Sequence, residues 1–361
     1  MRVLLTTDTA GGVWSYTEEL TDTLLARDHH VALVAFGAAP SAVHREWLDV
    51  HPELPFTWIS APLEWMPEPE PALSASVDAL RRVVGREKPD LIHLNQFVYG
   101  AHELGAPKLV VAHSDVLSWW RVVKGEDAPD DSWFRRYTGW VLQGLAGADL
   151  RVAPSAWMAG QAEAIYGFGD VQVVHNGRSA TGAGTPCRAR DPWVVAAGRL
   201  WDEAKGVGDL AGAAPDIPGR VIVAGAAEHP SGGVDFPRDA QGVEYAGMLP
   251  AAGIQELLGR AAVYAATSRY EPFGLAPLEA ALAGCALVMT DIATFRELWE
   301  GCALFYPPGD VAALAAGCRE LLQDPDRRQA LARSAGERAR ECYNPGRMAA
   351  GYEALYRRIL A

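Results

Sequence analysis

The sequence predicts an α/β chain of two tandem units, each a parallel sheet with helices between its strands. Three observations predict it: short β-branched apolar runs alternate with longer helical patterns, the alternation restarts midway, and a turn-rich stretch lies at the restart. In the first half the strand runs are VLLTT at 3–7, VALVAF at 31–36, LIHLN at 91–95, KLVVAH at 108–113 and LRVAPS at 150–155. Between the first two, Ser15 to Arg27 repeats apolar residues at helical spacing. The second half restarts with WVVAAGR at 193–199 and continues with RVIVAGA at 220–226, VEYAG at 243–247, VYAATS at 263–268 and CALVMT at 285–290. A helix follows over Asp310 to Gln323, where PPGD supplies an Asp suited to cap it.

The boundary falls near Asn176 to Arg190, where VVHNGRSATGAGTPCRARD has turn residues and no periodicity. The expected domains are 1–177 and 178–344, with a terminal helix over 345–361, RMAAGYEALYRRIL, returning to the first of them. A crevice between the halves is the expected ligand site.

With 361 residues, each half can bury a core of its own. Hydrophobic residues at 49% and charged residues at 21% are those of a folded globular chain. The net charge of −13, from 32 Lys and Arg against 45 Asp and Glu, opposes binding to nucleic acid. Any phosphate site must then be a local positive spot. The five cysteines, Cys187, Cys285, Cys302, Cys318 and Cys342, form no CxxC pair, so they are expected to be packing thiols in a reducing cytoplasm. No signal-like segment, no basic amphipathic helix and no run of about twenty apolar residues is visible, so no integral membrane span is expected.

The chemistry concentrates in SRYEPFGLAPLE at 268–279. A strand ending near Ser268 leads into a turn and then a helix, with Pro277 fitting the first helical turn and Ala280 to Ala283 continuing it. Glu271 then precedes the helix and Glu279 lies within it. The amides of Phe273, Gly274 and Leu275 point into the space beyond the strand, where a helix start attracts phosphate, and Gly274 permits close approach. Two glutamates at this spacing, taken alone, are ordinarily surface residues.

Gly11 and Gly12 follow the first strand, where a tight turn brings amides toward a ligand. A GxGxxG fingerprint is absent, and Asp28, His29, His30 stands where a dinucleotide site would place its ribose carboxylate, which opposes an oxidoreductase. Asp324 and Asp326 in QDPDRR imitate a metal-binding DxD, but Asp and Pro are ordinary turn residues at a helix connection. No catalytic metal and no cofactor is expected.

The longer segment SRYEPFGLAPLEAALAGCALVMTDIATFRELW closely resembles the donor-binding segment of the family-4 glycosyltransferases, retaining enzymes of the GT-B fold with two Rossmann-like domains facing each other across a cleft. AGRLWDEAKG at 197–206 is similar to the family's glycine, arginine and lysine stretch, TDTAGGVWSYTEEL at 7–20 to its N-terminal glycine loop, and HNGR at 175–178 to its domain-joining asparagine and glycine. The resemblance implies that Glu271 bonds hydroxyls of the donor sugar and Glu279 the ribose, both as acceptors. It implies that Arg199 and Lys205 grip the diphosphate and neutralise charge as the glycosidic bond breaks. His113, at a strand end in VVAHSD, is placed facing the donor sugar near its anomeric carbon, while Trp119, Trp120 and Trp133 fall in the stretch that lines the acceptor side. His93 and Asn95 occupy the place of two histidines in many relatives, and Asn95 departs from that pattern.

The expected reaction is metal-independent retaining transfer from a nucleoside-diphosphate sugar, with UDP preferred, to a hydroxyl of a saccharide, natural product or lipid-linked acceptor. The alternatives are an epimerase of the same fold, which would alter the donor alone, and a nucleotide-sugar-binding protein without turnover.

Overall fold

The computed structural model describes residues 1–66, 72–180, 190–228 and 236–361. Cys187 and positions 181–189 of the expected linker lie outside the described residues. The chain divides into a first unit, Met1–Gly177 with Pro345–Ala361, and a second, Arg178–Asn344.

The first unit runs β1 (Arg2–Asp8), α1 (Gly12–Leu25), β2 (His30–Phe36), α2 (Ala42–Val50), β3 (Phe56–Ile59), α3 (Ala72–Glu87) and β4 (Leu91–Leu94). It continues with α4 (Phe97–Gly100), β5 (Lys108–Val111), α5 (Val116–Lys124), α6 (Ser132–Ala146), β6 (Leu150–Ala153), α7 (Ala156–Tyr166) and β7 (Gln172–Val173). The second unit runs β8 (Asp191–Ala197), α8 (Val207–Ala213), β9 (Arg220–Ala224), β10 (Val243–Tyr245), α9 (Ala251–Arg260) and β11 (Ala261–Ala266). After these come α10 (Leu275–Ala283), β12 (Ala286–Thr290), α11 (Ala293–Trp299), β13 (Ala303–Tyr306), α12 (Val311–Gln323) and α13 (Pro325–Cys342), and α14 (Pro345–Leu360) belongs to the first unit.

Each apolar run read as a strand is one. Both sheets are parallel throughout, ordered β3-β2-β1-β4-β5-β6-β7 and β10-β9-β8-β11-β12-β13. The strand order therefore reverses between β1 and β4 in one unit and between β8 and β11 in the other, as in a doubly wound dinucleotide-binding sheet. The additional strands β3, β7 and β13 all lie at sheet edges, and β3, though apolar in sequence as FTWI, is short and only half-buried.

Side chains alternate along the strands into two cores per unit, so both faces of each sheet are covered. In β2, Val34 and Phe36 enter one core while Val31 and Leu33 enter the other. That second core is closed by α1, through Tyr16, Leu20 and Leu24, and by α14, through Met348, Tyr352, Leu355 and Tyr356 at helical spacing. The buried Glu353 fastens α14 by accepting from Arg27 Nε at 2.7 Å and Nη2 at 2.8 Å and contacting His29 Nε2 at 2.9 Å. These contacts hold its carboxyl down at about 2, the Arg27 bonds being the main cause. Asp310 caps α12 by accepting from the Ala313 amide at 2.9 Å.

Candidate active site

In parallel sheets of this order, ligands bind beyond the carboxyl ends of the strands at the reversal of strand order. In the second unit that place is the pair of connections leaving β8 and β11. The β8 connection carries Arg199, then a single 3-10 turn, Glu203–Lys205. The β11 connection is Thr267 to Gly274, ending at α10.

The two connections are bonded to each other. Thr267 Oγ1 donates to the Lys205 carbonyl and the Arg269 amide to the Ala204 carbonyl, each at 2.8 Å. Gly206, with φ +58°, lies so close beneath that a Cβ would sit 2.3 Å from the Thr267 carbonyl oxygen, so only glycine fits. This support brings Lys205 to the strand reversal, where its Nζ donates to Glu271 Oε2 at 2.5 Å. Ser268 Oγ donates to the same oxygen at 3.2 Å, and Glu271 Oε1 has no bonded partner among the described residues. Lys205 and Glu271 are 23% and 14% exposed, which shields the pair from water more than a surface ion pair. Beside them is a cavity of about 30 Å³ lined by Ala196, Ala197, Thr267, Ser268 and Pro277 among others.

Gly274 is the N-cap of α10 with φ +94°, a conformation that favours glycine, and a Cβ there would meet Glu271, Pro277 and Phe295 at 3.2 to 3.4 Å. Leu275 opens α10, Glu271 precedes it and Glu279 lies inside it. Phe273 is buried edge-on to Tyr343 at 5.5 Å, so its side chain belongs to the core. Glu279 Oε1 accepts from Arg178 Nε at 2.8 Å across 101 residues of sequence. Arg199, half-exposed, pairs with the buried Asp202 at 2.7 Å and lies over the Trp201 ring. The expected cations are thus each held by a carboxylate: Lys205 on Glu271 and Arg199 on Asp202. Arg178 is a third, which sequence reading passed over within HNGR because nothing local marks its partner.

The first unit presents a different chemistry at its own strand reversal. Asp8 Oδ1 accepts from the Ala10 amide at 2.8 Å, and Gly11, with φ +94°, is the N-cap of α1, so Gly11 and Gly12 form the start of that helix. Beside β1, the residue after β4 is Asn95, and His113 lies two residues beyond β5. His113 Nε2 and Asn95 Oδ1 are 2.9 Å apart, and the Tyr16 ring stands edge-on to His113 at 4.5 Å. His93 is wholly buried, with Nε2 at 3.1 Å from the Tyr16 hydroxyl and Nδ1 at 2.7 Å from that of Tyr356. Desolvation holds both imidazoles down at about 3, so both are neutral at physiological pH. Asp115 caps α5, accepting from the Leu117 and Ser118 amides at 2.9 Å and from the Tyr166 hydroxyl at 2.8 Å.

Trp119 and Trp120 are half-buried on α5, Trp119 beneath Lys124 and Trp120 edge-on to Phe134 at 5.1 Å. Trp133 stacks on Tyr137 and donates to the Met66 carbonyl at 3.3 Å. A groove of about 520 Å³ opens nearby between α5, α6 and α7, lined by Leu117, Phe134, Leu142 and Ile165 among others but by none of the three tryptophans.

Asp324 caps α13 by accepting from the Arg327 amide at 2.9 Å. Among the described residues no group of three or more His, Cys, Asp or Glu could hold a metal ion, and no helix is long and apolar enough to cross a membrane.

Residues 10–180 match the sequence profile described as Glycosyltransferase Family 4, and residues 191–324 that described as Glycosyl transferases group 1. Glycogen synthase of Mycobacterium tuberculosis is 30% identical over 284 residues, 70% of this chain and 64% of that protein. Alpha-maltose-1-phosphate synthase of Mycolicibacterium smegmatis is 28% identical over 307 residues, covering 74% and 76% of the two chains. The chain thus spans 64% of the length of the glycogen synthases it matches.

Among solved structures, sucrose-phosphate synthase from Thermosynechococcus elongatus superposes with a TM-score of 0.81 at 20% identity over 99% of both chains. Anabaena Alr3699/HepE in complex with UDP and glucose gives 0.76 at 18% identity, over 99% of this chain and 100% of that one. These likenesses establish the architecture, and the two profiles supply the family for each unit in turn. The chain belongs to the family-4 glycosyltransferases and has their GT-B fold.

Proposed function

We propose that this chain is a retaining, metal-independent hexosyltransferase that moves a sugar from a nucleoside-diphosphate donor, with UDP preferred, to an acceptor hydroxyl. The observation that carries the reading is the Lys205–Glu271 pair, braced by Ser268 and Gly206 at the strand reversal of the second unit. Lys205 Nζ has two further donors for diphosphate oxygens, and Glu271 Oε1 accepts from a sugar hydroxyl. Arg199 joins Lys205 on the diphosphate, and the amides at the start of α10 add the positive end of a helix dipole. Glu279, oriented by Arg178, accepts from the ribose. Support for the donor comes from HepE, solved with UDP and with UDP-glucose, and for sugar transfer from the synthases above.

In the proposed mechanism the acceptor hydroxyl attacks the face from which the diphosphate departs. Its oxygen forms the new glycosidic bond, the bond to the diphosphate breaks, and the departing diphosphate takes the proton. Lys205 and Arg199 stabilise the charge that develops on it, an effect greatest in the transition state. No protein nucleophile is used, which agrees with Asp115, the carboxylate nearest His113 in sequence, being engaged as a helix cap. His113 contacts a substrate hydroxyl, and Trp119 and Trp120 are assigned to the acceptor side. The acceptor is a hydroxyl compound of saccharide, natural-product or lipid-linked type. A reducing cytoplasm is part of the reading, since Cys285, Cys302, Cys318 and Cys342 are free thiols.

The test is to incubate the protein and its Glu271→Ala variant with UDP-glucose and other nucleotide sugars, with and without candidate acceptors, and to measure free diphosphate and product. Transfer by the parent and its loss in the variant are expected. An unchanged rate and donor affinity in the variant would remove Glu271 from the site. Conversion of the donor alone, without diphosphate release, would identify an epimerase.

A further inference from the structure

We propose that Asn95 is a positioning residue that fixes His113 as the Nε2–H tautomer, so that the ring offers its Nδ1 lone pair to a substrate hydroxyl. The proposal rests on the reading of His113 as a substrate contact, and it adds which atom makes that contact and what sets it.

The argument starts from the amide of Asn95, which is 8% exposed. Its backbone amide donates to Thr6 Oγ1 at 2.9 Å, which ties the residue to β1. One end of its side-chain amide faces the Thr6 carbonyl oxygen at 2.6 Å and Thr17 Oγ1 at 3.4 Å. The Thr6 carbonyl only accepts. The Thr17 hydroxyl spends its own proton on the Val13 carbonyl at 2.8 Å, so it presents lone pairs to Asn95. An amide end that meets two acceptors is the NH2 end, and the orientation of Asn95 is therefore set by its network. The other end is Oδ1, an acceptor, and it lies 2.9 Å from His113 Nε2. Two acceptors do not bond each other, so Nε2 carries a proton.

A neutral imidazole has a single N–H, which leaves Nδ1 bare. The groups facing His113 keep it neutral. The Tyr16 ring packs on it, and the Tyr16 hydroxyl is used on His93. His93 is itself neutral and buried, and the Asp115 carboxylate is bonded to α5 amides and to Tyr166. Asn95 supplies a dipole but no charge that would draw a second proton onto the ring. His113 is thus an acceptor by construction, suited to a hydroxyl that approaches with its proton forward and unable to protonate a leaving group from Nδ1. That fits a transfer in which the departing diphosphate takes the acceptor's proton.

The first measurement reads the tautomer in the parent chain. Long-range proton–nitrogen NMR on the full chain labelled at histidine nitrogen, with the His113 signals identified by their loss in His113→Gln, is expected to show a protonated Nε2 and a bare Nδ1 at neutral pH. A protonated Nδ1, or protons on both nitrogens, overturns the proposal whether or not the protein transfers sugar. The second measurement is the pH dependence of transfer by Asn95→Asp. A carboxylate beside Nε2–H raises the affinity of the ring for a second proton, so kcat is expected to fall on the acid side between about pH 6 and 8, with donor KM changed less than about twofold. A parent-like profile overturns the positioning role. Failure to find transfer with any nucleotide sugar removes the proposed function, while the NMR result still decides the tautomer.

Discussion

The two units share strand order and the place where their loops converge, yet they furnish that place with opposite chemistry. At the reversal of the second unit the side chains are ionised: Lys205 on Glu271, with Arg199 on Asp202 and Arg178 on Glu279 in the same unit. At the reversal of the first, apart from the Asp8 carboxylate at the end of β1, they are neutral: Asn95 is hydrogen-bonded with His113, Thr6 and Thr17, and Tyr16 with His93, the Tyr16 ring packing on His113. Ionised groups in a partly open site suit a ligand that brings its own charge, because desolvating a cation is compensated by an anion. A neutral cluster suits hydroxyls, which it can orient without holding a charge. In the proposed reading the same sheet order thus serves two kinds of ligand, and the distinction lies in the loops.

The comparison breaks most directly at Lys205. Lys205→Ala removes a cation proposed to meet the diphosphate and leaves Glu271 without its ion-pair partner. We expect kcat/KM for the nucleotide sugar to fall about a thousandfold, roughly 4 kcal/mol, and the melting temperature to drop as the shielded Glu271 loses its partner. Steady-state kinetics against donor concentration check this, and a loss under tenfold would place the charge elsewhere. Raised salt should weaken donor binding in the parent and do so less in the variant.

Next in size is a test of the support beneath the charged site. Gly206→Ala places a methyl 2.3 Å from the Thr267 carbonyl in a backbone conformation that side chains disfavour. We expect a destabilisation of about 2 to 3 kcal/mol by denaturant titration, together with weakened donor affinity, because Lys205 moves with the turn. Retained affinity at reduced stability would separate the turn from the site.

A third test concerns two buried carboxyls of the first unit, which titrate in opposite senses. Glu64 accepts from the Phe97 and Val98 amides at 3.0 and 2.7 Å, yet burial outweighs these bonds and holds its carboxyl up at about 7. Its folded pKa lies above the ordinary 4.5, so the folded state binds the proton more strongly and stability falls as pH rises from 4.5 to about 7. Glu353 behaves in reverse: its folded value of about 2 lies below 4.5, so its contribution is present above 4.5 and lost as pH falls toward 2. Denaturant titrations across pH should show Glu64→Gln flattening the loss on the alkaline side by about 1 to 3 kcal/mol, without altering the acid-side loss. An unchanged alkaline slope would mean that Glu64 is ionised throughout.

The smallest expected effect on stability is at Arg199. Its side chain is 51% exposed, so Arg199→Ala should change stability by less than about 1 kcal/mol while raising donor KM. A variant with parental donor KM would leave Arg199 as a surface partner of Asp202 alone.

Much of this was legible in the sequence. The apolar runs gave the strands, Asp310 its cap, and SRYEPFGLAPLE placed Glu271 before a helix and Glu279 within it, because these features depend on neighbours a few residues apart. The edge strands β3, β7 and β13 escaped notice, being short or only partly covered. Trp119 and Trp120 were visible as aromatic residues, but their packing on α5 and against Phe134 was not.

What the tertiary structure alone decided is the pairing. Lys205 meets Glu271 across 66 residues, Arg178 meets Glu279 across 101, and His93 meets Tyr356 across 263. Asn95 meets His113 only because β4 and β5 are neighbours in the sheet. Strand and helix formation is local and shows in residue spacing, whereas the partner of a buried polar group is chosen by strand order and crossover. A single sequence therefore named the glutamates, the histidine, Lys205 and Asn95, and the folded sheet added Arg178 and decided which of these groups orients which.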